Sequence, residues 1–588
     1  MCFYYFEVST DRPWKKAWRP GDNPQLLYMN ALSTTDILVF LLYFVLVAGY
    51  GYWIYLRKRK AVTDTKDFFL AEGSLTWWAI GASLIASNIS AEQFIGMSGD
   101  GFFVGTAVAA YEWIAAFGLV IIAIWFMPIY LKNGILTMPQ FLTRRYNETV
   151  ALIMAVFWLF LYVFVNLTSI LYLGAVAING LMGGQYLHTL MLALAAFALI
   201  ITLGGMKVIG YTDVIQVAVL IVGGLATTFM ALSLVSEKYG AGSGVLDGFR
   251  TLLQQAPDHF HLILDKPGPD APQLEVDKYL ILPGITMYFA GQWILNINYW
   301  GCNQYITQRA LGADLQTART GILFAAMIKL VMPLIVMVPG IAAYVLYQNG
   351  HLPQLAGGKD GAYSAILSFL PSGLKGLSIA ALTAAIVASL AGKVNSISTI
   401  FTLDIFKKYV SPDADERQLV RIGRIVILVA MAVAVVFTWN DTLGIGGAGG
   451  FTFIQKYTGF ISPGVFAAFI LGMFWKRTTG AAAVTGVIAG FLIVVFFNSF
   501  AVSLLGHETI LYTAFRNASG AYEIPFLINM GWSFFFTVVL MVGISLTGPA
   551  VNPKAFLFEK GMFAVSNRVL VMVVAVLMVL AALYIRFW

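Results

Sequence analysis

The sequence predicts an all-α polytopic membrane protein of about fourteen transmembrane helices, built on two five-helix halves in inverted repeat. Three observations carry that prediction. Apolar residues make up 59% of the 588 residues against 11% charged, and the mean hydropathy is +0.80. The apolarity falls into successive stretches, each long enough to cross roughly 30 Å of hydrocarbon at about 1.5 Å per residue. Two of these stretches, five spans apart, carry polar interruptions in their middles.

Residues 1–28 hold four basic residues and three prolines and no apolar core, so they read as a disordered extension or a mis-called start before Met29. Residues 29–74 supply a first flanking helix (36–56) and a basic loop. The first repeat, 75–236, contains spans 75–100, 107–131, 149–178, 186–205 and 209–236. A mixed-charge external loop, 237–278, leads to the second repeat, 279–474, with spans 279–304, 318–347, 372–407, 418–439 and 448–474. Flanking helices 479–501, 526–547 and 567–588 complete the chain, and no soluble domain is expected. Placing Arg57–Lys66 in the cytoplasm puts 21 Lys and Arg inside and 8 outside after Met29, with both termini outward.

Composition also excludes functions. The net charge of +7 sits mostly in short loops between spans, which favours the positive-inside rule over nucleic-acid binding. Cys2 and Cys302 have no ligand spacing, the five histidines are scattered, and Gly392-Lys393 lacks the context of a phosphate-binding loop. Neither a metal centre nor ATP-driven chemistry is expected.

The first interruption lies in ASLIASNISAEQFIGMSG, residues 82–99, where Ser87, Asn88 and Ser90 compete for backbone hydrogen bonds and Glu92 and Gln93 follow. A helix broken at membrane depth persists where its freed groups line a cavity or meet protein. The second lies in PGITMYFAGQWILNINYWGCNQY, with Gly291, Asn296, Asn298, Gly301 and Asn303 as the interrupting residues. Intramembrane Lys329, Glu112, Glu92 and Asp213 each cost at least about 2.5 kcal/mol to insert and call for a partner or a cavity. A Lys329–Glu112 pair is the simplest arrangement, either across a polar cavity or as a lock between helices. Gln93, Glu112, Asn296, Lys329 and Gln455 offer the paired donors and acceptors that sugar hydroxyls need, and Tyr299 or Trp300 offers a ring to stack on. Each amide alone is equally consistent with an interhelical hydrogen bond.

The stretches WWAIGASLIASNISAEQFIGMSG, AYEW at 110–113, YVFVNLTSILYLG, TDVIQV, NYWGCNQYITQR, KLVMPLIVMVPGIAAYV and FIQKYTGFISPG resemble the solute:sodium symporter family, in its sodium/glucose cotransporter branch, from about Met29 onward. The resemblance implies a LeuT-type five-plus-five inverted repeat and sodium-coupled import of a hexose such as galactose or glucose across the cell inner membrane. It implies no enzyme activity. It places the sugar on Gln93, Glu112, Asn296, Lys329 and Gln455, with Tyr299 stacked beneath it, and an outer gate on Met97, Tyr111 and Phe451. Sodium falls on the carbonyls of Ala86, Ile89 and Ala385 and the hydroxyl of Ser389, with Asp213 on its inward route.

Three departures follow from the same comparison. Ala115 replaces a family serine at the sugar, Ala388 replaces a family serine at the ion, and Lys393 stands where the family relative is uncharged. The Lys393 ammonium either approaches the ion site or extends to the cytoplasmic vestibule. The first case implies proton-linked, weakly sodium-coupled or uncoupled transport of a sugar or polyol. A membrane sugar sensor is a separate alternative, needing its own output partner. The expected partners are a small neutral sugar and the bilayer, with no nucleic acid; oligomeric state is unknown.

Overall fold

The computed structural model describes residues 32–58, 68–69 and 75–588, apart from 183, 241, 243, 353–354, 356–357, 443–444 and 446–449. The extension at 1–28 lies outside the described residues. The helices that position the site are α1 (Thr34–Lys58), α2 (Trp77–Asn88), α3 (Ser98–Phe103), α4 (Ala110–Ile121), α5 (Met206–Lys238), α6 (Gly291–Cys302), α7 (Gln304–Leu311), α8 (Leu315–Val336), α9 (Val338–Gln348), α10 (Leu374–Thr399) and α11 (Gly450–Phe474). Eleven helical stretches among the described residues are long and apolar enough to span a membrane, and one bent pair makes twelve. The expected spans at 75–100 and 186–205 correspond to a broken segment and to the sixteen-residue helix Leu187–Thr202, so neither meets that test alone.

The first break falls inside the expected window. Ile89 leaves the helix with ψ 119° after Asn88, and a wide helical turn over Glu92–Met97 connects to α3. Gln93 Oε1 accepts from the Ser90 backbone N–H at 2.9 Å and from Ser90 Oγ at 3.1 Å. This is half of a capping box: the S-A-E-Q order lets a side chain satisfy a backbone donor that water cannot reach.

The second break falls at the outer two of its five interrupting residues, Gly291 and Asn303, and not at Asn296, Asn298 or Gly301. Gln273–Phe289 and α6 meet at an 81° bend at Ala290, and the chain opens again at Asn303, which is extended with ψ 129°. Asn296 and Asn298 stay helical because their amides find acceptors, the Gln292 carbonyl one turn back at 3.0 Å and the Ser462 hydroxyl on α11 at 3.1 Å. Gly301 is also helical. Two tyrosines satisfy the opened backbone: the Tyr130 hydroxyl donates to the Gly301 carbonyl at 2.7 Å, and the Tyr162 hydroxyl accepts from the Gln304 N–H at 3.2 Å.

Small residues bring these helices together. A Cβ at Gly81 would lie 2.7 Å from the Gly321 carbonyl oxygen, so α2 and α8 approach almost backbone to backbone. α5 lies against α10, where the Thr227 and Ser378 hydroxyls meet at 2.7 Å. Every residue of α10 from Ser378 to Thr399 is buried, which makes it the axis of the molecule.

The external connection contains the helix Val245–Gln255 and the turn Pro257–Phe260. In that turn the buried His259 ring stacks on Tyr344 at 3.9 Å and hydrogen-bonds the Phe102 carbonyl at 3.1 Å. Burial, assisted by the nearby Lys278 charge, pushes its pKa down from 6.5 to about 4. The unfolded imidazole takes a proton first as pH falls, so stability present above about 6.5 declines toward about 4. Melting temperature should therefore drop between about pH 7 and about pH 5, and less so in His259→Gln; equal slopes in the two proteins would contradict this.

Candidate functional site

The two breaks border one cavity lined by polar and aromatic side chains. Gln93, Glu112, Asn296, Tyr299, Lys329 and Gln455 all line it, although they come from five separate stretches of chain. Lys329 Nζ lies 2.5 Å from Glu112 Oε2, and the two side chains are 1% and 4% exposed. The ammonium also sits 5.3 Å from the centre of the Trp300 ring. Water is excluded from this pair, so each charge depends on the other, while the remaining carboxylate lone pairs and ammonium hydrogens are available to a solute. Gln93 has spent its carbonyl oxygen on Ser90, which leaves its NH₂ as the group free to donate.

Tyr299 stands at one end of the cavity. Its hydroxyl accepts from Asn88 Nδ2 at 3.0 Å, which ties α6 to the end of α2, and its ring packs edge-on against Tyr305 at 5.7 Å. Tyr111 and Phe451 also line the cavity and contact each other edge to face at 5.0 Å. Phe451 lies directly on Gly96, where any side chain would collide with it. Met97 is fully buried but is not among the described residues that face the cavity. Ala115 does face it, so the methyl stands where a hydroxyl would otherwise be.

Beside the first break, Ser389 Oγ lies 3.3, 3.1 and 3.1 Å from the carbonyl oxygens of Ala86, Ser87 and Ile89. Several hard oxygens thus converge where the helix opens, a donor set suited to a small monovalent cation. Ala385 is buried one helical turn before Ser389 on α10, and Ala388 contributes no side-chain oxygen. Asp213 is fully buried away from the cavity: the Ser83 hydroxyl donates to it, and Arg309 Nη2 lies 3.9 Å from the same oxygen. Arg309 also donates to the Ser83 carbonyl at 3.0 Å, so Asp213 belongs to a lock joining α2, α5 and α7.

Lys393 is a buried lysine. It is 2% exposed, lines the cavity, and rests 4.9 Å from the Tyr305 ring centre. α10 is buried all along this stretch, and the aromatic face supplies a partial substitute for hydration. Sequence reasoning also missed Asn166 and Thr458 on the cavity wall. For Asn166 a signal existed, as the polar residue in an otherwise apolar YVFVNL run.

Comparison with known proteins supplies a family and a fold. The model of the sodium:solute symporter family matches residues 68–490. A sodium/glucose cotransporter of Vibrio parahaemolyticus is 41% identical over 578 residues, covering 95% of this chain and 99% of that protein. A mouse sodium/myo-inositol cotransporter 2 is 33% identical, covering 80% of this chain and 71% of the relative. Among solved structures, a substrate-bound outward-open sodium-coupled sialic acid symporter superposes with a TM-score of 0.71 at 20% identity, covering 88% of this chain and 99% of that one, which shows a shared fold.

Proposed function

Because the chain belongs to the sodium:solute symporter family, we propose that it is a secondary active symporter that carries a hexose, such as galactose or glucose, into the cell with sodium. It is a multi-pass plasma-membrane transporter of LeuT-type fold, not an enzyme, and sodium is its coupling ion. The observation that carries the sugar reading is the convergence of six polar and aromatic side chains on one cavity bordered by two broken helices.

In this reading the sugar lies between the Glu112–Lys329 pair, the Gln93 and Gln455 amides and Asn296, with its apolar face on Tyr299. Tyr111 and Phe451, backed by Met97, close it off from outside. Sodium binds among the carbonyls of Ala86, Ile89 and Ala385, and the Ser389 hydroxyl turns its oxygen from the carbonyls toward the ion. Asp213, held by Ser83 and Arg309, stands on the inward route. The repeats are taken as 75–236 and 279–474, with 29–74 and 475–588 flanking them. Ion binding orders the break at Ile89 in the outward-open form; the sugar then binds, the outer plug closes, and release follows when Tyr299 parts from Asn88. One charge crossing 100 mV contributes about 2.3 kcal/mol before any concentration term.

Purified protein in proteoliposomes should accumulate labelled galactose or glucose under an inward sodium gradient and lose that accumulation when choline replaces sodium. Undiminished uptake in choline would overturn sodium coupling. Binding without accumulation under any gradient would favour a sensor.

A side-chain pair of tests separates Gln93's two roles. Gln93→Glu keeps an acceptor for Ser90 and loses the amide donor; Gln93→Ala loses both. The account predicts that both weaken sugar binding, by about tenfold or more for a lost buried hydrogen bond, and that only Gln93→Ala also lowers the melting temperature. Unchanged sugar affinity in both variants would remove Gln93 from the site.

A further inference from the structure

The cavity continues past the six residues assigned to the sugar. Asn88, Glu92 and Lys393 also face it, at 7%, 6% and 2% exposure. Asn88 and Glu92 each keep an unused polar atom. Asn88 donates to Tyr299 through Nδ2, but its Oδ1 has no partner, and Glu92 Oε1 has none. Lys393 contacts the Tyr305 ring and has no carboxylate within ion-pair distance among the described residues; Glu92 is the carboxylate whose charge acts on it. Buried polar atoms left unmatched are costly and uncommon, and two of them beside a buried ammonium in one wall of a cavity point to something that comes and goes.

The position of this wall is informative. Asn88 and Tyr305 are the two residues that grip Tyr299, and Lys393 lies on Tyr305, whereas the Tyr111–Phe451 contact involves other segments. The group therefore lies beside Tyr299, apart from the Tyr111–Phe451 contact. We propose that Asn88, Glu92 and Lys393 form a second binding station for a neutral polyhydroxylated solute, occupied between release from the Tyr299 platform and exit. The ammonium supplies donors, the carboxylate and the amide oxygen supply acceptors, and adjacent hydroxyls of one sugar both give and take hydrogen bonds. One positive and one negative charge cancel, which suits a neutral solute better than an acidic one. This inference rests on the reading of the cavity as a sugar site.

The test is equilibrium binding of labelled galactose to the purified full-length protein in sodium. Wild type should show two components, a tighter one and a weaker one. Lys393→Met and Glu92→Gln should each weaken the second component by about tenfold, as expected for a lost charge-assisted hydrogen bond, and leave the first in place. Gln93→Ala should remove the first and retain the second. A single component in wild type, or a second component untouched in both Lys393→Met and Glu92→Gln, would overturn the station. Absence of any saturable component in wild type would instead overturn the sugar reading itself. Elution of each variant as a monodisperse peak shows that loss of binding is not loss of fold.

Discussion

Lys329→Ala should abolish sugar binding and also destabilise the protein, because it strands Glu112 as an uncompensated charge at 4% exposure. Removing one partner of a buried pair typically costs about 3–5 kcal/mol, much of it the penalty on the charge left behind. Glu112→Ala should behave alike, leaving the Lys329 ammonium with only the Trp300 face 5.3 Å away. The informative variant is the double replacement Glu112→Gln with Lys329→Met, which removes both charges and keeps most of the volume. The account predicts recovery of much of the thermal stability without recovery of sugar binding. A double variant that binds sugar normally would reduce the pair to a lock between α4 and α8. The same scan measured for melting temperature and sugar affinity separates the outcomes.

The second large effect is expected at the ion. Ser389 supplies the side-chain oxygen nearest the carbonyls of Ala86, Ser87 and Ile89, and Ala388 beside it supplies none. Ser389→Ala should therefore raise the sodium concentration for half-maximal uptake by about tenfold or more, the worth of one lost ligand to a charged group. Sugar affinity at saturating sodium should stay near that of wild type. Ala388→Ser should act in the opposite direction, lowering the sodium requirement, since it adds a hydroxyl beside Ser389. Sodium dependence of initial uptake rates reads both. An unaltered requirement in Ser389→Ala would place the ion elsewhere.

Much of this architecture was legible in the sequence because apolar length is dictated by the bilayer and not by partners. The first break was legible for a similar reason: Ser87, Asn88 and Ser90 disturb the backbone locally, and the S-A-E-Q run carries its own cap. The second break was legible only in part: the backbone opens beside Gly291 and at Asn303, but Asn296 and Asn298 stay helical, because a helix tolerates an amide that finds the Gln292 carbonyl or the Ser462 hydroxyl. Pairings across the fold left no spacing to read. Arg309 as the partner of Asp213, and the tyrosines that hold the second break, are separated from their partners by many tens of residues. Lys393 was left with two readings because a lone lysine usually reaches water, and the burial of α10 along its length is not visible in the sequence.

The central claim is that one small hydroxylated solute lies between the two broken helices, stacked on Tyr299 and held by Gln93 and the Glu112–Lys329 pair. A map of the purified protein determined with saturating galactose and sodium tests it most directly. The account predicts a ring-shaped density in that cavity, parallel to the Tyr299 face and within hydrogen-bond distance of Gln93 and Lys329. Sugar density elsewhere, with this cavity holding only water, would contradict it.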